Sequence, residues 1–346
     1  MQGNPLVHSQ TTSQDAPTPV AFWGCVLVLL VLFAFCWMNI IPFGDELQQF
    51  PRVLHTLDPA WLSNDLFVGA PQGDHWVFFR FLGGLFWLAG PIGGAVLARL
   101  AIWVFMAGSL LWLGRALEFK PIAVVLGTAL FIAYGQSRLG GEAIVGEAIA
   151  RHLAYPLVLF SLAGWIRGRF LFAAALLGCA TSIHALVGAW ATASILGLMF
   201  FDKRVKVRGW GLRLVCAGVC LVCALPGLLP ILPLVLAGSQ TGTADADQIF
   251  IYFRHPHHLS PGSWPLFDYL QFAVMFAIFV GLGRVLPASP RLIRLRQFVW
   301  VITVVTVVAL VVGLVCANIL MFALSGTFLY ESRKHYEQLA QTQTRN

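Results

Sequence analysis

The sequence predicts an all-α fold, a polytopic transmembrane bundle of about eight to ten membrane segments, some of them short. Three observations predict it. Of 346 residues, 58% are apolar and 11% charged, and the mean hydropathy is +0.79, which excludes an ordinary soluble domain. Uncharged runs at 16–44, 170–201, 214–244 and 297–330 each exceed the ~20 apolar residues that cross a bilayer, and shorter runs lie at 100–114, 121–137, 153–166 and 269–283. None of these runs alternates apolar with polar residues as a β-barrel would.

The net charge of +7 is concentrated where the runs end. Arg115 and Lys120, Arg167 and Arg169, the group Lys203, Arg204, Lys206, Arg208 and Arg213, and then Arg284, Arg291, Arg294 and Arg296 mark the connections expected on the cytoplasmic side. Aromatic residues do not interleave these groups as a strand-binding groove requires, so no nucleic-acid partner is expected.

Taken in order, residues 1–19 read as a disordered polar tail. The first helix, about 20–41, is too long for a signal-peptide core and lacks a basic flank before it, so it is expected to stay in place. External loop 1 spans 42–92, opening on acids and closing on an amphipathic Trp- and Phe-rich stretch, 75–89, that suits an interfacial helix. Crossings follow at about 93–117, 121–134 and 153–165. The 32 residues 170–201 separate two basic clusters that both belong in the cytoplasm, so they must turn back. A hairpin of two short helices results, with His184 at its apex. A helix over 214–236, interrupted by Pro226, Pro230 and Pro233, leads to external loop 2 at 238–268. Two further helices follow, and 326–346 form a polar tail; the membrane domain is thus 20–325. The seven cysteines all fall inside apolar segments and read as small packing residues.

Chemistry is concentrated in the external loops. Gly44–His75 holds Asp45, Glu46, Asp58, Asp65 and Asp74, five of the fifteen acids, against one Arg52. Asp45 and Glu46, one turn past the first helix, suit a general base or a metal ligand at the water boundary, or equally solvated carboxylates that fix the loop outside. Asp58, before Pro59, has the pattern of a helix N-cap. Glu147 and Arg151, four apart, can pair on one helix face. Arg80, Arg99 and Arg151 share the external half, where a phosphate or Glu142 and Glu147 would neutralise them. Arg254-His255-Pro256-His257-His258 in loop 2 groups imidazoles that bind metal, relay protons or grip phosphate.

The acids after the first helix, the amphipathic elements in loop 1, the short helices and the second external loop together resemble the GT-C superfamily of integral-membrane glycosyltransferases. Phe253–His258 and Ser182-Ile183-His184 resemble, more closely, a bacterial polytopic membrane family related to that superfamily. The resemblance covers roughly 20–325. It implies a multi-pass protein of the bacterial inner membrane that takes a sugar from a polyprenyl-phosphate lipid at the external face. Asp45 and Glu46 fall at the catalytic position; Arg80, Arg151, His184, Arg254, His257 and His258 would bind the donor. A divalent metal is compatible with the acid position, although the sequence assigns no ligand set. The competing reading is a transporter or lipid-binding membrane protein without catalysis, for which broken helices and intramembrane Arg and His also serve.

Overall fold

A computed structural model describes residues 19–65, 68, 73, 75–136, 143–238, 261–285 and 289–315. Among them there are helices and no strands. In chain order the helices are α1 Pro19–Trp37, α2 Glu46–Leu57, α3 Trp76–Ala116, α4 Pro121–Ala133, α5 Ala150–Ile166, α6 Phe170–Ile183, α7 Ala185–Phe201, α8 Lys203–Lys206, α9 Gly209–Gly238, α10 Leu266–Val285 and α11 Pro290–Val315. Four stretches are long and apolar enough to cross a membrane: Pro19–Trp37, Trp76–Ala116, Gly209–Pro233 and Leu266–Val285. Pro121–Ala133, Phe170–Ile183 and Ala185–Phe201 are shorter apolar helices. The expectations for residues 1–18, for most of loop 2 and for the C-terminal tail lie outside the described residues.

Apolar side chains explain which faces meet. In α1, Val26, Leu29 and Phe33 are buried at helical spacing, whereas Val20, Trp23, Leu27, Val31 and Phe35 are left facing outward. Such an outward apolar face is what a lipid environment tolerates and water does not. The inward stripe packs on α3 and α4, α3 packs on α5, and α5 packs on α6. At the centre, α6 crosses α9 with Gly178 against the backbone of Cys220, and Gly227 against the Ser182 carbonyl. Small residues let backbones approach where hydrophobic burial gives helices no mutual preference over lipid.

The helix α3 is two helices joined at a bend. Gly90 has φ +71° and ψ 172°, and Pro91 follows, so 76–89 and 91–116 run in different directions. The split separates the amphipathic stretch from the crossing, as the sequence indicated. The hairpin is also present: α6 and α7 meet at His184, whose extended backbone (φ −143°, ψ 101°) ends one helix and starts the next. With 14 and 17 residues, they rise roughly 21 and 25 Å, each short of the ~30 Å hydrocarbon core. Their outer ends return to one place, because Arg204 donates to the carbonyls of Trp165 and Ile166 at 2.9 and 3.2 Å. The two basic clusters flanking 170–201 therefore lie together.

Loop 1 opens on a helix, since Glu46 starts α2, which buries Phe50 and Val53 against α3. One local expectation is corrected. Asp58 is not a helix N-cap but the C-cap of α2, its N–H donating to the Leu54 carbonyl at 2.8 Å. Residues 59–64 form turns, and the Asp58 carboxylate accepts from the Ala60 N–H at 3.0 Å, an Asx turn that follows α2.

Candidate functional site

The acids after α1 are separated by helix geometry. Asp45 and Glu46 are adjacent at the start of α2, so their side chains diverge by ~100°. Glu46 turns inward and is fully buried. Arg99 of α3, equally buried, meets it with two donors, Nε to Oε1 at 2.7 Å and Nη2 to Oε2. The remaining carboxylate capacity accepts the Ala148 N–H at 2.6 Å and the Phe43 N–H at 3.3 Å. The Arg99 guanidinium also donates to the carbonyls of Asn39 and Ile41, just past the end of α1, and lies 5.0 Å from the Phe43 ring centroid. This buried pair ties α1, α2, α3 and the segment before α5 into one unit. The counter-ion of Arg99 is Glu46 rather than a phosphate, Glu142 or Glu147.

Asp45 turns the other way. Its carboxylate is 37% exposed and pairs with Arg151 of α5 at 2.9 Å. The pairing of Arg151 is thus made across the structure, whereas the sequence pointed to Glu147 on its own helix. Glu147 instead accepts the Asp45 backbone N–H at 2.8 Å. Gly44, at φ +56°, permits this approach, because a Cβ there would fall on the Glu147 carboxylate. Half-burial pushes the Glu147 carboxyl up from 4.5 to about 6, against the Asp45 N–H, which favours its ionised form; nearby Asp45 adds to the rise.

Glu147 belongs to an irregular segment, 143–149, whose backbone is satisfied by side chains from several elements. The Gln136 amide donates to the Val145 carbonyl and accepts from the N–H groups of Ile144 and Val145. Trp103 Nε1 donates to the Gly146 carbonyl at 2.8 Å, and Glu46 accepts from Ala148. The His152 ring bridges the Glu147 and Ala143 carbonyls at 2.8 and 3.0 Å, donating to one of them when neutral. Buried non-helical backbone needs such partners.

The hairpin apex joins the same group. The His184 Nδ1 accepts from the Val187 N–H at 3.2 Å, which leaves its proton on Nε2. Its ring stacks on His75, with centroids 5.0 Å apart and planes 27° apart. Arg151 and His152 lie within electrostatic reach of His184, and Asp45 within reach of His152. One end of the bundle thus brings together Asp45, Glu147, Arg151, His152, His75 and His184. Arg80 is on the exposed face of α3, 5.2 Å from the Trp76 ring centroid. Arg254, His257 and His258 lie outside the described residues. Among the described residues, no group of three or more His, Cys, Asp and Glu is arranged to hold a metal ion.

Sequence reasoning missed His75 as a site residue and gave Glu147 only a structural part. The available signal was charge placement: Glu147 is an acid beside small apolar residues, next to Gly146, a residue that disfavours a helix. Compared with protein-family models, curated proteins and solved structures, the chain matches none.

Proposed function

We propose that this chain is an integral-membrane glycosyltransferase of GT-C type. It transfers a sugar from a polyprenyl-phosphate donor to an acceptor hydroxyl at the external face of a bacterial inner membrane. The observation that carries the reading is the partly exposed Asp45–Arg151 pair at the start of α2, on a backbone fixed by Glu147 and by the Glu46–Arg99 clamp.

In this reading the acceptor oxygen attacks the anomeric carbon as the bond from that carbon to the phosphate oxygen breaks. The acceptor proton passes to Asp45, and the electron pair of the broken bond leaves with the polyprenyl phosphate. Arg151 turns from Asp45 to the donor phosphate, which frees the carboxylate to act as base. Negative charge grows on that phosphate during transfer, so Arg151 and the Nε2–H of His184 stabilise the transition state more than the ground state. Glu46, sealed against Arg99, positions Asp45 and takes no proton. Arg80, Arg254, His257 and His258 complete the donor contacts.

The distribution of buried polar groups supports transfer at one end over transport through the middle. Among the described residues the buried hydroxyls of Ser109, Thr128, Ser161 and Thr181 donate to the backbone carbonyls of Met106, Val124, Ala173 and Leu177, and only those of Ser182 and Ser194 make no hydrogen bond. The test is sugar transfer by purified protein from a polyprenyl-phosphate donor. Asp45→Asn is expected to lower the rate ~10²–10⁴-fold, and an unchanged rate would remove Asp45 as the base.

A further inference from the structure

The opposite end of the bundle presents a cluster of cations around one indole. Arg167 and Arg169, in the turn between α5 and α6, place their guanidinium carbons 4.9 and 6.0 Å from the Trp112 ring centroid of α3. Arg115, one helical turn along from Trp112, and Arg291, at the start of α11, both lie within electrostatic reach of Arg167. Arg115, Arg169 and Arg291 thus all bear on Arg167, and among the described residues the carboxylate paired with one of them is Glu118, 2.9 Å from Arg291 and itself half-exposed. The Trp112 Nε1–H is buried and makes no hydrogen bond to the protein. Like charges held this close repel unless an anion sits among them, and a guanidinium is built to hold a phosphate with two parallel N–H bonds. Apolar surface adjoins the cluster: Leu171 and Phe172, directly after the turn, are exposed on α6.

We propose that Arg115, Arg167, Arg169 and Arg291, around Trp112, form a binding site for the phosphodiester headgroup of an anionic phospholipid, whose acyl chains run along the outer face of α6. The Trp112 ring carries the two guanidiniums on its π system, which holds them at the membrane edge with their N–H groups free to point at phosphate oxygens. Basic pockets between membrane helices take acidic lipids in this way, each cation adding to the attraction. The site is at the far end from Asp45 and does not depend on the transferase reading.

The full chain, purified and reconstituted in nanodiscs of phosphatidylcholine doped with phosphatidylglycerol, is tested by native mass spectrometry for retained phosphatidylglycerol. Arg167→Gln with Arg169→Gln is expected to lower retention about 10-fold or more. Lys203→Gln with Lys206→Gln removes the same charge from the same end and should lower it far less. Trp112→Phe keeps the ring and removes the N–H, and an intermediate loss is expected. Equal losses in the two double variants would mean diffuse attraction to a basic surface and would overturn the site. Displacement of phosphatidylglycerol by inorganic phosphate or glycerol phosphate at equal concentration would overturn the lipid as its source. Retained helical content and monodisperse elution accompany each variant, so a loss through unfolding is recognised as such.

Discussion

The two ends of this bundle use charge in opposite ways. At the end that holds Asp45, the acids after α1 each have a cation: Glu46 and Arg99 are fully buried together, Asp45 pairs with Arg151, and Glu147 accepts the Asp45 N–H. At the other end arginines outnumber acids: Arg204 pairs with Asp202 at 2.6 Å, Arg294 donates to the Ile166 carbonyl, and Arg167 and Arg169 lie beside the Trp112 ring. A matched, buried set fixes the relative positions of four segments, and its cost is accepted only where position matters. Arginines in excess of the acids, half-exposed, cost little and suit orientation in the membrane and contact with acidic headgroups.

The comparison breaks most sharply at Arg99. Arg99→Ala leaves the Glu46 carboxylate buried without its cation and should destabilise the fold by about 3–5 kcal/mol, read as a fall in the thermal unfolding midpoint in detergent. The double change Arg99→Leu with Glu46→Leu should recover a large part of that loss. If Arg99→Ala unfolds no sooner than the parent, the pair is not what joins α1, α2 and α3.

Next in size is Gly44→Ala. A left-handed backbone costs a residue with a Cβ about 1–2 kcal/mol, and here the added methyl also displaces the Glu147 carboxylate. Loss of stability and of sugar transfer together is expected. Asp45→Asn separates the two, with transfer lost and the unfolding midpoint moved by less than ~1 kcal/mol, because a partly exposed ion pair contributes little to folding.

Much of this contrast was legible in the sequence, and the reasons differ by region. Composition and runs of apolar residues gave the membrane helices, since a bilayer demands an almost uncharged stretch of fixed length. Positive-inside counting gave the hairpin at His184, because two basic clusters cannot sit on one side with a single helix between them. The Glu46–Arg99 pair was not legible. Its residues are 53 positions apart, and a carboxylate at a helix mouth has the same sequence context whether it faces water or a buried guanidinium. The stacking of His75 on His184 was hidden for the same reason: it depends on how loop 1 folds over the hairpin, and period or spacing does not record that.

The Glu147 carboxyl supplies a smaller, pH-dependent effect that sharpens the comparison. Its folded-state value is raised from 4.5 to about 6, so the folded protein holds this proton more tightly than the unfolded chain. The stability it contributes is complete below 4.5 and is lost as pH rises through about 6. Glu147→Gln should flatten that part of the stability-against-pH curve while keeping an acceptor for the Asp45 N–H. An unchanged slope in Glu147→Gln would assign the titration to another group.

The smallest effect belongs to the basic end and is the most exacting check on the contrast. Arg291 and Glu118 are 2.9 Å apart, yet their side chains are 41% and 54% exposed. Two long side chains held in one geometry lose rotamer freedom, and water and salt screen their attraction, so such a pair contributes about 0–1 kcal/mol. Glu118→Ala should accordingly leave the unfolding midpoint in detergent within error. It should also raise phosphatidylglycerol retention slightly, because it removes the carboxylate that competes with lipid phosphate for Arg291. A loss comparable to that of Arg99→Ala would show that the exposed Arg291–Glu118 pair positions the basic end as firmly as a buried pair does, and the distinction between exposed and buried pairs would not stand.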